Sequence, residues 1–193
     1  LNGEEELIQR AINLDPRAFG KLYDCYYPRI FGYVYRITGD YALACDVTSE
    51  TFLKAWVKIG AFRWKGISIS SWFFRIATNE LNQYFRRKKY RPQLLSDHFP
   101  GGWTTAQEPS DPDQDQPMLR LERLEAYRKI HALLKTLPPV YQEVIALRYF
   151  EELSIPELSQ ILHKKQGTVK SLLSRGLQRL KKLMWDTATD GIA

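Results

Sequence analysis

The side chains in this sequence best placed to do chemistry are suited to recognition. Turned at about 100° per residue, the segment after Thr168 gathers Ser171, Ser174, Arg175, Gln178 and Lys182 on one side, with Lys170 and Lys181 beside them. Val169, Leu173, Gly176, Leu177, Leu180 and Met184 collect opposite, with Leu172 and Leu183 at the edge. An arginine fork can read guanine edges, while lysines and small hydroxyls mostly meet phosphates. A second stripe, Arg75, Asn79, Asn82, Arg86 and Lys89 with Trp72 adjoining, leads into the basic run Arg86–Lys89 and Arg91. Just ahead of it, Phe62, Arg63, Trp64 and Lys65 combine rings and cations in a loop with a glycine, Gly66. Rings of this kind can stack on a base that has left the duplex. On pattern alone, a solvated bundle surface and a structural loop fit these residues too.

Motifs for covalent chemistry are missing from the sequence. It has no P-loop, no HExxH and no nucleophile elbow, so no enzyme is expected. Cys25 and Cys45 have no CxxC partner and no histidine at ligand spacing, which points to reduced thiols in the cytoplasm, with neither metal nor cofactor. No apolar run approaches the length of a membrane span, and Leu1–Arg10 is acidic and polar rather than signal-like. The expectation is a cytoplasmic protein with no membrane partner.

Charge divides the chain. The net charge is +6 over 193 residues, and its distribution is uneven. Leu1–Leu95 carries 15 Lys and Arg against 9 acids, Ser96–Met118 carries no base and 5 acids, and Leu119–Ala193 carries 13 bases and 8 acids. Two basic units around an acidic block point to a polyanionic partner. The acidic block also holds the prolines and paired glycines that prevent helix or strand, so residues 92–118 are expected as an extended linker between domains 1–91 and 119–193.

The elements that must position the recognition residues are all helical. The first domain is expected to hold helices over Ala18–Thr38, Leu43–Ile59 and Ser71–Lys89, with Gly60 as a left-handed cap and Ser70 or Ser71 as an N-cap. Leu119–Leu137, Val140–Phe150, Ile155–Leu162 and Thr168–Met184 follow in the second. The last two, one short and one long, have the form of a helix-turn-helix, with Ser154 capping the first and Pro156 in its first turn. On Leu43–Ile59, the core side is Cys45, Thr48, Phe52, Ala55, Trp56 and Ile59. Its other side, Asp46, Glu50, Leu53, Lys54 and Val57, mixes acid with apolar surface. That mixture suits a protein partner, although a plain surface with a Glu50–Lys54 pair fits as well.

The residues themselves narrow these readings. Leu137–Tyr149, Leu153–Leu158 and Gly167–Gly176, with "GTVKS" followed by "LSR", closely resemble the fourth conserved domain of bacterial sigma factors. "DVTSETFLKAW" (Asp46–Trp56) and "AFRWKGISISSWFFRIATNELNQYFRR" (Ala61–Arg87) resemble the second. With only these two domains, the chain is similar to the small extracytoplasmic-function (ECF) class. The resemblance implies a domain-two bundle and a domain-four helix-turn-helix, acting as a dissociable subunit that binds core RNA polymerase and promoter DNA, with an anti-sigma factor as a further candidate partner. It implies that Asp46, Glu50, Leu53 and Val57 face the polymerase clamp. Phe62, Arg63, Trp64, Lys65, Trp72, Arg75, Asn79 and Arg86 would meet the minus-ten element. Lys164, Lys165, Thr168, Lys170, Ser171, Ser174 and Arg175 would meet the minus-thirty-five element. The turn departs from the family pattern: His163 stands where glycine is usual, Lys164 and Lys165 add charge, and Leu172 replaces an arginine. Ser49 stands where the family usually has Gln. The rival reading is a helix-turn-helix regulator that binds duplex DNA without polymerase. It would need a dimer helix or sensor domain, and neither is evident.

Overall fold

The computed structural model describes residues 2–63, 68–90 and 130–189, and all its regular structure there is helical. Helices α1 (Asn2–Ile12), α2 (Pro16–Thr38), α3 (Tyr41–Lys58) and α4 (Ile69–Tyr90) form the N-terminal bundle, with a 3-10 turn at Ile59–Ala61. Residues 130–136 are helical (α5), followed by α6 (Pro139–Ile145), a π turn (Ala146–Phe150), α7 (Ile155–Leu162) and α8 (Gln166–Thr189). The proposed linker, residues 92–118, and residues 119–129 lie outside the described residues, as do Trp64 and Lys65.

Local chemistry explains most of the boundaries. Asp15 caps α2 by accepting from the Arg17 and Ala18 amides, and Pro16 fills the first turn, where its missing N–H costs nothing. Gly39 ends that helix at φ 67°, a left-handed position that most side chains avoid. Asp40 then caps α3. Two expected caps fall elsewhere. Gly60 has no positive φ, because the chain continues past Ile59 as the 3-10 turn. Neither Ser70 nor Ser71 begins α4: Ser68 accepts from the Ser71 amide at 3.1 Å, one turn earlier. Helix α1 was not expected from the pattern; it covers the bundle with Ile8 and Ala11, both buried.

The helix-turn-helix forms as the sequence implied. Ser154 and Glu157 make a reciprocal capping box on α7, with Pro156 inside its first turn. His163 closes α7 in the left-handed conformation, φ 52° and ψ 42°. Helix α8 buries Val169, Leu173 and Leu180, and Gly176 lies between them against α6. A Cβ on Gly176 would approach Ile145 Cδ1 at 3.1 Å and Tyr141 at 3.3 Å. The close approach of α8 to α6 therefore depends on glycine there.

The two basic units pack together. Helix α7 lies against α4, and the π turn lies against α2. Arg29 and Arg36 of α2 pair with the buried Glu151 carboxylate at 3.3 and 3.2 Å, and Arg29 also donates to the Glu151 carbonyl at 3.3 Å. Arg36 lies over the Phe150 ring at 4.3 Å. The Ser68 and Ser71 hydroxyls donate to Glu157 Oε1 at 3.4 and 3.2 Å. Between α4 and the C-terminal unit runs a crevice of about 310 Å³ lined by Thr78, Asn79, Asn82, Pro139, Val140, Glu143, Ile161, Leu162 and Lys164. Glu143 is buried there with Oε1 unsatisfied. Burial pushes its carboxyl up to about 7, against the opposing pull of Lys164 and an Asn82 hydrogen bond.

Two measurements follow from this packing. Gly176→Val should destabilise the C-terminal unit by about 1–3 kcal/mol in urea unfolding, the usual cost of overpacking a filled core. Glu143 ionises less readily folded than unfolded, from an ordinary value of 4.5 to about 7. Its neutral form therefore favours the packed state, an advantage fully present below about 4.5 and lost as pH rises through about 7. The stability of the wild type relative to Glu143→Gln should thus fall between pH 5 and pH 8, by up to about 3 kcal/mol. A difference that stays flat across that range would place the Glu143 carboxyl in water.

Candidate nucleic-acid interface

Helix α8 turns its expected recognition side outward. Thr168, Lys170, Ser174 and Arg175 are exposed, as is Lys165 in the turn before it, and Ser171 and Lys164 are half-buried. The amphipathic pattern produces this directly: Val169, Leu173, Gly176 and Leu180 hold one side against α6 and α7, so the residues between them must face out. The Arg175 guanidinium donates to the Ser171 hydroxyl at 2.7 Å and to the Ser171 carbonyl at 3.3 Å. The fork is thereby steadied above the middle of the helix. The exposed Lys165, Lys170 and Arg175 give this side the charge needed to meet phosphates.

Helix α4 presents its stripe differently. Asn79 and Arg86 are exposed, whereas Arg75 and Asn82 are half-buried beneath the C-terminal unit. Desolvation, and to a lesser degree the nearby Arg75 charge, hold the His163 imidazole below its usual value. Trp72 is half-buried and leans on Phe62, with ring centroids 5.2 Å apart. Phe62 itself is 5% exposed. The sequence leaves it open as a stacking ring or part of a structural loop, and here it is a core ring: the 3-10 turn ends in extended backbone at Phe62 and carries its side chain inward. Arg63 stays exposed and donates to the Gly60 and Phe62 carbonyls at 3.0 and 2.9 Å, satisfying the end of that turn. Sequence reasoning missed a groove of about 600 Å³ beside it, where Glu5 and Gln9 of α1 and Asn13 just past its end face Gly60, Phe62 and Arg63. The spacing of those three residues at every fourth position was the available signal.

Helix α3 carries the mixed acidic and apolar side. Asp46 and Glu50 are exposed, and Leu53 and Val57 lie beside them at 58% and 73% exposure. Two adjacent aliphatic side chains so open to water are a poor fit to a plain solvated surface. Lys54 bridges Glu50 and Glu80, tying α3 to α4 below this strip. The opposite side of α3 is core through Ala44, Val47, Thr48, Thr51, Phe52 and Ala55. Of the residues expected there, Cys45 and Trp56 are half-buried rather than buried, and Trp56 meets Phe19 edge-on at 5.0 Å.

Among the described residues no group of His, Cys, Asp and Glu is arranged to hold a metal ion, and no helix is long and apolar enough to cross a membrane.

The chain matches the family model of sigma-70 region 2 over residues 22–91 and that of sigma-70 region 4 over residues 127–180. It is 33% identical over 179 residues to the ECF RNA polymerase sigma factor SigW of Bacillus subtilis (strain 168), covering 93% of this chain and 95% of that one. It is 32% identical over 186 residues to the ECF RNA polymerase sigma factor BldN of Streptomyces coelicolor, covering 95% of this chain and 66% of BldN. In fold it is similar to CnrH, solved in complex with the cytosolic domain of CnrY, with a TM-score of 0.63 and 22% identity over 94% of this chain and 96% of that one. The sigma factor RpoE of Bartonella quintana, solved with the anti-sigma factor NepR, gives the same TM-score at 21% identity, over 86% of this chain and 96% of that one. An exposed basic side on a helix-turn-helix, an acid-and-apolar strip on a separate bundle, and identity running almost the full length of SigW have one reading: the chain belongs to the ECF class of RNA polymerase sigma factors.

Proposed function

We propose that this protein acts, without catalysis of its own, as a dissociable cytoplasmic sigma subunit. It binds core RNA polymerase, directs it to promoters and helps melt the minus-ten region. One observation carries the reading beyond family membership. The duplex-reading side of α8 and the acid-and-apolar strip of α3 are separate exposed surfaces, each suited to a different partner. A regulator that works without polymerase has no use for the second.

Within that function, Asp46, Glu50, Leu53 and Val57 are assigned to the polymerase clamp. Lys164, Lys165, Thr168, Lys170, Ser171, Ser174 and Arg175 are assigned to the upstream duplex. Arg63, Trp64, Lys65, Trp72, Arg75, Asn79 and Arg86 are assigned to the melted downstream strand. Asn79 offers both donors and an acceptor, so it can read a base edge that stacking does not distinguish. The buried position of Phe62 supports a role in holding Trp72 and the loop, rather than in stacking on a base. The charge pattern of residues 92–118 supports their lying in a basic polymerase channel, the one that nascent RNA later takes. An anti-sigma factor is a further partner, supported by the fold shared with the sigma factor RpoE of Bartonella quintana, solved with the anti-sigma factor NepR.

Run-off transcription with core polymerase and a genomic promoter library tests the function directly. Promoter-specific products are expected only when this chain is added, and their absence would favour the polymerase-independent regulator. Two finer expectations accompany it. Asp46→Arg/Glu50→Arg should weaken binding to core polymerase with helicity unchanged, as read by pull-down and circular dichroism. Unchanged affinity would move the docking surface elsewhere. Arg175→Ala should cost about 1–3 kcal/mol on the cognate duplex and relax preference at one position. Lys170→Ala should weaken binding to every sequence and shallow the salt slope by about one unit. Equal losses on all sequences for both variants would make Arg175 a phosphate contact.

A further inference from the structure

The groove between α1 and the 3-10 turn is used by none of the roles assigned above. Its volume of about 600 Å³ falls within the range of about 300–1,000 Å³ usual for small-molecule sites. Ile8, Ile12 and Phe62 give it apolar surface. Glu5, Gln9 and Asn13 stand exposed along one side and face Arg63. Among the described residues, the side chains of those three are engaged in no hydrogen bond or ion pair. Apolar surface edged by unengaged donors and acceptors is the chemistry of a nucleobase site. The apolar groups take the ring face, and the polar groups read its edge.

Two residues place this groove beside the strand-facing surface. Arg63 spends only Nη1 on the Gly60 and Phe62 carbonyls, which leaves Nη2 and Nε for a ligand. Phe62 is a shared wall: its ring lines the groove and also meets the Trp72 ring of α4 at 5.2 Å. A strand lying along Trp72 and Arg63 has the groove mouth next to it.

The acid in the groove narrows the choice of base. A carboxylate is out of place against phosphates, but it suits a base edge that offers donors. Glu5 can only accept, and its two oxygens fit two parallel N–H groups. Among the four bases, guanine alone carries two neighbouring donors on its Watson–Crick edge, N1–H and the N2 amino group. Adenine and cytosine set a ring acceptor beside a single amino group. Thymine sets two carbonyls around a single N–H. Each of these three turns a lone pair toward the carboxylate. The amides of Gln9 and Asn13 and the spare Arg63 donors can serve guanine O6.

We infer that this groove is a base-reading subsite for one unpaired guanine of the melted strand, with Glu5 as the residue that selects it. The inference rests on the reading of Arg63 and the α4 stripe as the surface that meets that strand.

The test uses holoenzyme assembled from core polymerase and the full chain, on a promoter drawn from the run-off library. The template is premelted, the non-template strand is randomised in and beside the minus-ten element, and the retained DNA is sequenced. The wild type should enrich guanine at least about 10-fold at one position, within the range of a good paired contact. In Glu5→Gln that enrichment should fall below about 2-fold, with preferences at other positions unchanged. Loss of charge cannot produce this result, because removing an acid strengthens binding to every sequence. Glu6→Gln, exposed on α1 but outside the groove, should keep the wild-type profile. Gly60→Leu fills the groove by another route. The backbone there is not left-handed, and a Cβ meets only the Ile12 carbonyl and Leu14 Cδ2, at 3.6 and 3.7 Å. It should lose the same guanine preference, while circular dichroism and affinity for core polymerase stay at wild-type values. Inosine lacks the N2 amino group. At the enriched position it should bind the wild type about 10-fold more weakly than guanine, and Glu5→Gln equally well. Guanine enrichment that survives in Glu5→Gln or in Gly60→Leu would overturn the subsite, as would a wild type that does not distinguish inosine from guanine. Failure of the α4 reading has a different signature: Asn79→Ala would keep the wild-type profile and open promoters at the wild-type rate, which removes the strand from the groove mouth as well.

Discussion

A single buried carboxylate sets the relation between the two halves of this molecule. Glu151 lies where the π turn meets α2, and its desolvation is tolerable only because Arg29 and Arg36 reach it together. The π turn itself brings the group into place: the Glu151 amide donates back to the Ala146 carbonyl at 3.2 Å, five residues earlier, and the extra residue in that turn rotates the side chain toward α2. Beside it Phe150 lies under Arg36, and α7 packs along α4.

Helix α4 is the element most constrained by this arrangement. It supplies core to the N-terminal bundle through Phe73, Ala77 and Leu81, and a floor to the C-terminal unit through Ser71 and Thr78. Tyr33 and Thr78 share a buried hydrogen bond at 2.9 Å, and the Tyr33 ring meets Phe74 edge-on at 5.5 Å. A helix committed on two sides has a narrow remaining surface, and the side chains proposed to meet DNA fall on that surface or at its margins. This explains why Arg75 and Asn82 are half-buried while Arg86, one turn beyond the overlap, is exposed.

The sequence made the C-terminal unit legible almost residue by residue, because its signals are local. Ser154 and Glu157 at capping-box spacing, Pro156 at the first turn and Val169, Leu173 and Leu180 on the apolar side of α8 each fix structure within a few positions, whereas Leu177 and Met184, expected on that same side, are exposed. Helix α3 was legible for the same reason, down to the exposed Leu53 and Val57. The pattern failed where distant parts of the chain decide. Phe74 stands next to Arg75 of the expected polar stripe of α4 yet is fully buried, with Tyr33 of another helix set edge-on against it. Phe62 has the composition of a surface loop and becomes core through the turn that precedes it. Glu151 and its arginine partners stand 115 and 122 residues apart, a pairing no local periodicity encodes.

The bond between Arg175 and Ser171 has a consequence for how quickly duplex is sampled. A free arginine explores many rotamers and loses about 1.5–2 kcal/mol of side-chain entropy when it is fixed. Arg175 has already given up part of that freedom, held by a hydroxyl one turn back on its own helix. In the base-reading role proposed for it, Arg175 would arrive at a base edge in a nearly formed pose. The exchange it would make is one hydrogen-bond acceptor for another, so a site with no acceptor in reach would leave it on Ser171. Rejection of a wrong sequence would then need no clash, because the fork folds back to its own helix.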